Sequence, residues 1–538
     1  MLDSYSNNPE ALNVYVVGGI RMSAEPSDTV NNRVLIWLRQ NKELLIYFVA
    51  AVIITSISCI HYWLTALSVT TIGFNLDDSW IHLEFARSIF EGRAWEYSPG
   101  YPSTGSTSPL WSILLAGLFF FTTDPISLVW GVMIVSALFY ILCTFIVGLF
   151  FSQLIENKLV VVLGMVGFVL IPSNTWLMLS GMEYPLLLFL TILPIIILEK
   201  TELQYDVLLG IIAGLAFLSR PEAVLLALIV FPIRLIQHIS RRDFTKERAA
   251  SIYFMFLSAF LVVIPWILQC IQTSGNPLPD TFYVKVGEVT PYHIDVWDIF
   301  WGSFFSTMPF LLMGIIVGVA LFFRKRPYPW LFAISLALLY RFTMPYQAMV
   351  NNSRYVTPIF SFLLISCVAG FLIFGDELKQ NVREFTPDLA HGTLSALLLI
   401  LVIVPSTLPY MAQANVYATA TKNINEMQVD IGMWIQDNTP ADAVLAIGDI
   451  GAIRFLSNRV IIDLVGLVTP EIAYGDFSIS ELRNFLRSRD CDYLVIFGKW
   501  ISHFGAVMGD RIEEVYSVAI PDNIICGDDS MHVFEITW

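Results

Sequence analysis

Asp77 and Asp78 stand side by side in FNLDDSWIHLEF, residues 74–85, a few positions after a long apolar run. Adjacent carboxylates near hydrocarbon repel each other and lose hydration, so each needs a cation, a donor or a proton to meet it. One of them has an ordinary use. WIHLEFARSIFEG carries Ile81, Phe85 and Ile89 at helical spacing and Gly92 at its end, so an aspartate in front of it can cap an amphipathic helix. The second carboxylate is then surplus to capping and open to chemistry, since it could orient or deprotonate a hydroxyl.

Other ionisable groups fall at the ends of apolar runs. Glu183 sits in LSGMEYP, Arg220 and Glu222 in LSRPEA, Lys285 in LPDTFYVKV with Tyr283, and Arg354 with Tyr355 in NNSRYVTP. Each alone also reads as an interface charge snorkelling to water. Taken together they give carboxylates that can act on a hydroxyl and cations that can hold a phosphate, a pairing suited to transfer from a lipid phosphate.

The elements that must position these groups are membrane helices. The chain has 538 residues, 56% of them hydrophobic and 14% charged, a balance that excludes an ordinary soluble protein. Apolar runs at 43–70, 126–152, 159–176, 184–199, 206–219, 222–238, 250–270, 298–323, 329–343, 354–374 and 393–411 predict about eleven spans. Arginine and lysine fill every second loop, which predicts a cytoplasmic N-terminus in the plasma membrane and places Asp77, Asp78 and the other candidate residues on the extracytoplasmic side. PLWSILLAGLFFF, 109–121, is too short to span and is expected to lie at the outer interface, within one long loop over 71–125. Between it and the DD helix, YSPGYPSTGSTSPLW forms a hydrogen-bonding turn that reads as a site wall.

Residues 1–42 read as a cytoplasmic tail, with an apolar patch ahead of the first positive charge, the wrong order for a cleaved signal peptide. From 413 the pattern changes to an α/β domain, expected outside the cytoplasm, with strands near 443–449, 459–464, 492–498, 513–520 and 531–537 and helices near 423–437 and 479–489. Residues 412–538 carry −10 of the chain's net charge of −15, so the region repels nucleic acid. Cys491 and Cys526 are candidates for a disulfide there, and the other cysteines read as packing residues. GDIGAIRFL lacks the full dinucleotide spacing and reads as a structural turn, with acceptor-glycan binding as the other option.

The ordered set DDSWIHLEFARSIFEG, SPLW, SGMEYPL, LSRPEA, LPDTFYVKV, SRYVTP and GDIGAIRFLSNRVIIDLVGLV resembles integral-membrane glycosyltransferases of the GT-C superfamily. The pattern is similar to the mycobacterial terminal arabinofuranosyltransferase and, more distantly, to protein O-mannosyltransferases and the lipid A aminoarabinose transferase. The resemblance implies a polytopic α-helical GT-C-like fold, a polyprenyl-phosphate sugar donor, an extracytoplasmic glycan, lipid or protein acceptor, and inversion at the anomeric carbon. It implies Asp77 as the general base, with Asp78 orienting the acceptor or a cation. On charge and side, Arg220, Lys285 and Arg354 are assigned to the donor phosphate, and Glu183, Glu222, Tyr283, Tyr355 and His82 to substrate contacts. No cofactor is identified, and a divalent cation between Asp77 and Asp78 stays open, although two carboxylates alone make a poor cage. This chain departs from the family pattern in PDTFYVK, where Asp280 brings a carboxylate near the expected phosphate site, in RPEA and in GMEY. The competing readings are a transporter or flippase for a lipid-linked or anionic solute, and a non-catalytic envelope assembly protein. The absence of an internal repeat and the gathering of charges at one face speak against transport.

Overall fold

The computed structural model describes residues 42–200, 202–240, 245–287, 316–344, 350–382 and 393–538. Among them, six helices are long and apolar enough to cross a membrane: Lys42–Leu67, Pro125–Ser152, Pro221–Ile239, Lys246–Ser274, Val350–Phe374 and Ser395–Asn438. The run expected to be one span over 159–176 is a pair of helices, Lys158–Val169 and Pro172–Met178, bent by 69°. Pro172 holds Ile171 in an extended conformation and starts a new helix at its first turn, so the first cannot continue through it. The run at 184–199 likewise divides, into Tyr184–Ile192 and Pro194–Ile197. Gln204–Ser219 and Tyr328–Thr343 form as expected but are only 16 residues each. The expected span over 298–323 lies mostly outside the described residues. The Val350–Phe374 helix is enclosed along nearly its whole length, and Arg354 and Tyr355 sit near its start.

The loop after the first span folds into the Asp78–Phe90 helix, a hairpin of β1 (Glu96–Ser98) and β2 (Tyr101–Pro102), and a short Pro109–Ala116 helix with a final tight turn over Gly117–Phe120. The DD helix is buried on nearly every side and not along one face, from Ser79 through Ala86 and again at Ser88. The expected cap is also absent. Asp77 makes no side-chain bond to the start of its own helix, because its carboxylate is used elsewhere.

The C-terminal region holds a five-stranded sheet made of β3 (Val444–Ile447), β4 (Val460–Asp463), β5 (Tyr493–Phe497), β6 (Ile512–Ala519) and β7 (Ser530–Ile536), in the order β4-β3-β5-β7-β6. β4, β3 and β5 run parallel, and β7 and β6 extend the sheet antiparallel. All five expected strands are present. The boundary expected at 413 is crossed by one continuous helix, Thr393–Ile424. Ala50–Trp538 forms a single compact unit. One face of the sheet explains this: Leu445, Ile447, Val495 and Val533 pack with Ile431 and Ile435 and also with Ile81, Phe85 and Tyr97 of the first loop, in one hydrophobic core. Cys491 lies in the separate core on the opposite face, while Cys526 packs against the shared core, so the two thiols are apart and both are free.

Candidate active site

The two aspartates diverge. The backbone amides of Gly451 and Ala452 donate to Asp77 Oδ2 and Oδ1 at 2.7 and 2.8 Å, so the carboxylate caps the start of the Gly451–Ser457 helix, 374 residues further along the chain. A Cβ at Gly451 would stand 2.1 Å from the Asp77 carbonyl oxygen, so only glycine permits this approach. Asp77 is buried, and its carboxyl also hydrogen-bonds that of Asp449. Burial pushes both carboxyls above the ordinary range, Asp449 well above it because the Asp77 charge adds to the effect. The pair therefore retains a proton, which belongs on Asp449, since Asp77 already accepts from two amides.

Asp78 points the other way. Arg354 Nη2 donates to Asp78 Oδ2 at 2.6 Å, and both residues line a narrow cavity with His82, Arg220, Thr281 and Tyr355. The cavity is about 30 Å³, room for one or two waters. Arg354 is 3% exposed, and its Nε and Nη1 are buried with no partner among the described residues. Two unsatisfied guanidinium donors in such a place are costly unless an acceptor arrives.

Arg220 is held differently. It donates to Glu183 and to Glu222, and its guanidinium lies 4.8 Å from the Tyr184 ring centroid and 4.7 Å from that of Tyr355. Tyr340 donates to Glu222 at 2.8 Å, and His82 Nε2 lies 2.9 Å from Glu183 Oε2. Burial alone would raise the Glu183 carboxyl, but Arg220 and then His82 hold it well below its usual range. Arg220 is thus a neutralised brace between helices, with its charge spent on two carboxylates.

The remaining expected residues are placed less centrally. Tyr283 is half-buried on the Asp280–Gly287 helix and does not line the narrow cavity. The Lys285 side chain lies outside the described residues. Asp280 accepts from the Tyr474 hydroxyl at 2.7 Å, so this departure from the family pattern ties the helix to the C-terminal region. A divalent cation does not fit between Asp77 and Asp78, whose carboxylates face different partners, and no cluster of three metal-ligating side chains occurs among the described residues.

Sequence reasoning missed Tyr184, Tyr340, Asp449, Glu84 and Arg454. Glu84 is fully buried, with Arg454 Nη2 3.0 Å from its Oε1 and Arg87 on its other oxygen, while Arg454 Nε donates to the Tyr97 carbonyl at 3.1 Å. These contacts join the DD helix and hairpin to the GDIGAIRFL segment. The turn residues do the same: a Cβ at Gly105 would meet the Leu467 carbonyl at 2.5 Å, so STGST lies directly against the strand-following loop.

Residues 421–534 match a family described as a domain of unknown function (DUF8728). No curated protein matches the chain. Among solved structures, the chain is similar to ArnT from Cupriavidus metallidurans bound to undecaprenyl phosphate, with 11% identity, a TM-score of 0.55, and 90% of this chain and 97% of that one covered. The apo structure of the same ArnT gives 12% identity and a TM-score of 0.57 over the same shares. The fold is therefore that of a GT-C-like multi-pass membrane protein with a C-terminal sheet region.

Proposed function

We propose that the chain is an inverting glycosyltransferase that moves a sugar from a polyprenyl-phosphate donor to an acceptor hydroxyl on the extracytoplasmic side. The observation that carries the reading is Arg354, which lines the narrow cavity with Asp78 and whose buried Nε and Nη1 have no acceptor among the described residues. A phosphate oxygen satisfies both donors, and ArnT, which shares the fold, has been crystallised with undecaprenyl phosphate.

The base moves from Asp77, the residue implied by the family resemblance, to Asp78, because Asp77 is occupied in capping the Gly451–Ser457 helix. Donor phosphate engages Arg354 and draws it from Asp78. Asp78 then takes the proton of the acceptor hydroxyl, the oxygen forms its bond to the anomeric carbon, and the bond from that carbon to the phosphate oxygen breaks. Polyprenyl phosphate leaves with the electron pair, its charge met by Arg354 in a field shaped by the braced Arg220. No step requires a metal ion.

Asp78→Asn is expected to keep the fold and binding of undecaprenyl phosphate while lowering turnover of polyprenyl-phosphate sugars at least about a hundredfold. Arg354→Gln is expected to weaken undecaprenyl phosphate binding about tenfold or more, measured by titration into the purified protein. Full turnover in Asp78→Asn overturns the base assignment, and unchanged binding in Arg354→Gln overturns the phosphate assignment.

A further inference from the structure

A second and larger cavity, about 490 Å³, opens where three elements meet: the β1–β2 hairpin, the end of the Lys246–Ser274 helix and strand β4. Its volume falls within the range of about 300–1,000 Å³ typical of small-molecule sites. Its lining is distinctive. Tyr101, 45% exposed, presents a ring; Gln269 and Gln272 present planar amides; Thr273 and Thr469 present hydroxyls. β4 is an edge strand, bonded in the sheet to β3, and on its other side the Ile461 and Asp463 amides donate to the hydroxyls of Ser98 and Thr469, which line the cavity. Among the lining residues, Glu471 and Arg489 are the charged ones, and they pair with each other, with Arg489 5.2 Å from the Tyr101 ring centroid.

This chemistry favours a phosphate or an anionic headgroup little, because the cation among the lining residues is paired with Glu471 and partly exposed, where a charge pair gains little. It suits a neutral ligand dense in hydroxyls. Sugar rings offer apolar C–H faces for an aromatic ring and vicinal hydroxyls for planar amides, carboxylates and guanidinium groups.

The cavity also has a fixed relation to the narrow one. Leu467 lines the small cavity with Asp78 and Arg354, and its neighbours Val468 and Thr469 line the large one. This dividing strip is pinned by Asp463, whose carboxylate accepts from the Val465 and Val468 amides at 2.9 Å each and whose own amide donates to Thr469 at 2.9 Å. From these observations we infer that the large cavity is an acceptor subsite for a neutral oligosaccharide, which lies along β4 and presents its terminal hydroxyl past Leu467. The inference rests on the glycosyltransferase reading for its direction, but its binding step does not involve the donor.

The test uses the full chain in lipid nanodiscs on an array of immobilised neutral oligosaccharides, built from pentofuranose, hexopyranose and 6-deoxyhexose units, alongside acidic oligosaccharides and unmodified peptides. The expected result is retention on at least one neutral oligosaccharide, weakened about tenfold in Tyr101→Ala and in Gln272→Ala, both exposed positions, with thermal unfolding unchanged. Arg354→Gln should bind the array like the wild type, and Tyr101→Ala should bind undecaprenyl phosphate like the wild type. The inference is overturned if no neutral oligosaccharide is retained, if retention survives both cavity variants, or if only acidic oligosaccharides or peptides are retained. Loss of undecaprenyl phosphate binding by the wild type, with oligosaccharide retention intact, would instead overturn the donor reading alone.

Discussion

Glu183 and Asp78 are both carboxylates facing an arginine, yet their surroundings predict different behaviour. Glu183 is fully enclosed and balances Arg220, so Glu183→Gln leaves a buried guanidinium with a deficit of charge. That change is expected to destabilise the protein by about 3–5 kcal/mol, read as a lowered thermal midpoint in detergent. Asp78 is 29% exposed at its side chain, so Asp78→Asn, which also takes a charge from a buried arginine, should lower that midpoint less than Glu183→Gln does while turnover falls. A reversal of these two outcomes would exchange the roles given to the residues. The sequence exposed the candidates because ionisable groups beside hydrocarbon are conspicuous. It did not expose their partners. Asp77 and Asp78 have the same neighbours in sequence, and what separates their roles is an amide pair 374 positions away for one and an arginine 276 positions away for the other. No local pattern carries that distinction.

At the scale of elements, the Asp77–Gly451 contact joins a loop to the start of a helix with no room to spare. Gly451→Ala is expected to cost about 1–3 kcal/mol and to increase protease cutting between Ile450 and Asn458, since the new methyl group overlaps the Asp77 backbone. The same joint should respond to pH. The folded state raises the carboxyls of Asp77 and Asp449, so between the ordinary carboxylate value of 3.8 and the folded pair's own titration it binds more protons than the unfolded chain. Stability from this pair is therefore fully present at low pH and is lost as pH rises through the folded titration. Hydrogen exchange of the Gly451–Ser457 amides should quicken with rising pH beyond the intrinsic chemical rate, and Asp449→Asn should flatten that excess. An unchanged slope in the variant would remove the proton from the joint. Helix and strand positions were readable from periodicity, and all five sheet strands fall near their expected places. The broken pair was less so, because an apolar run through Pro172 looks continuous by hydropathy although the chain bends by 69° there.

For the whole molecule, the change in composition at 413 is real, but it is not a seam in the structure. The Thr393–Ile424 helix passes through it, and the sheet takes Ile81, Phe85 and Tyr97 into its core. A fragment of residues 421–538 made alone should therefore expose that apolar face, bind a hydrophobic dye and lack a sharp thermal transition. A monodisperse fragment with cooperative unfolding would show that the sheet region does not need the first loop. Hydropathy separates what is oily from what is wet, and so it could find the bundle and the sheet. It carries no information about a core assembled from residues near 80 and residues near 450.

The pairing of Glu84 with Arg454, buried beneath the hairpin, has a consequence for how the protein is made. Tyr97 of this loop leaves the ribosome 357 residues ahead of Arg454, and the strands that complete the loop's interior also follow Tyr97. Throughout that interval Glu84 has Arg87 but not Arg454, and Phe85 and Tyr97 lack the sheet that covers them, so a chain cut short ahead of the strands leaves this loop unfinished rather than merely weakened.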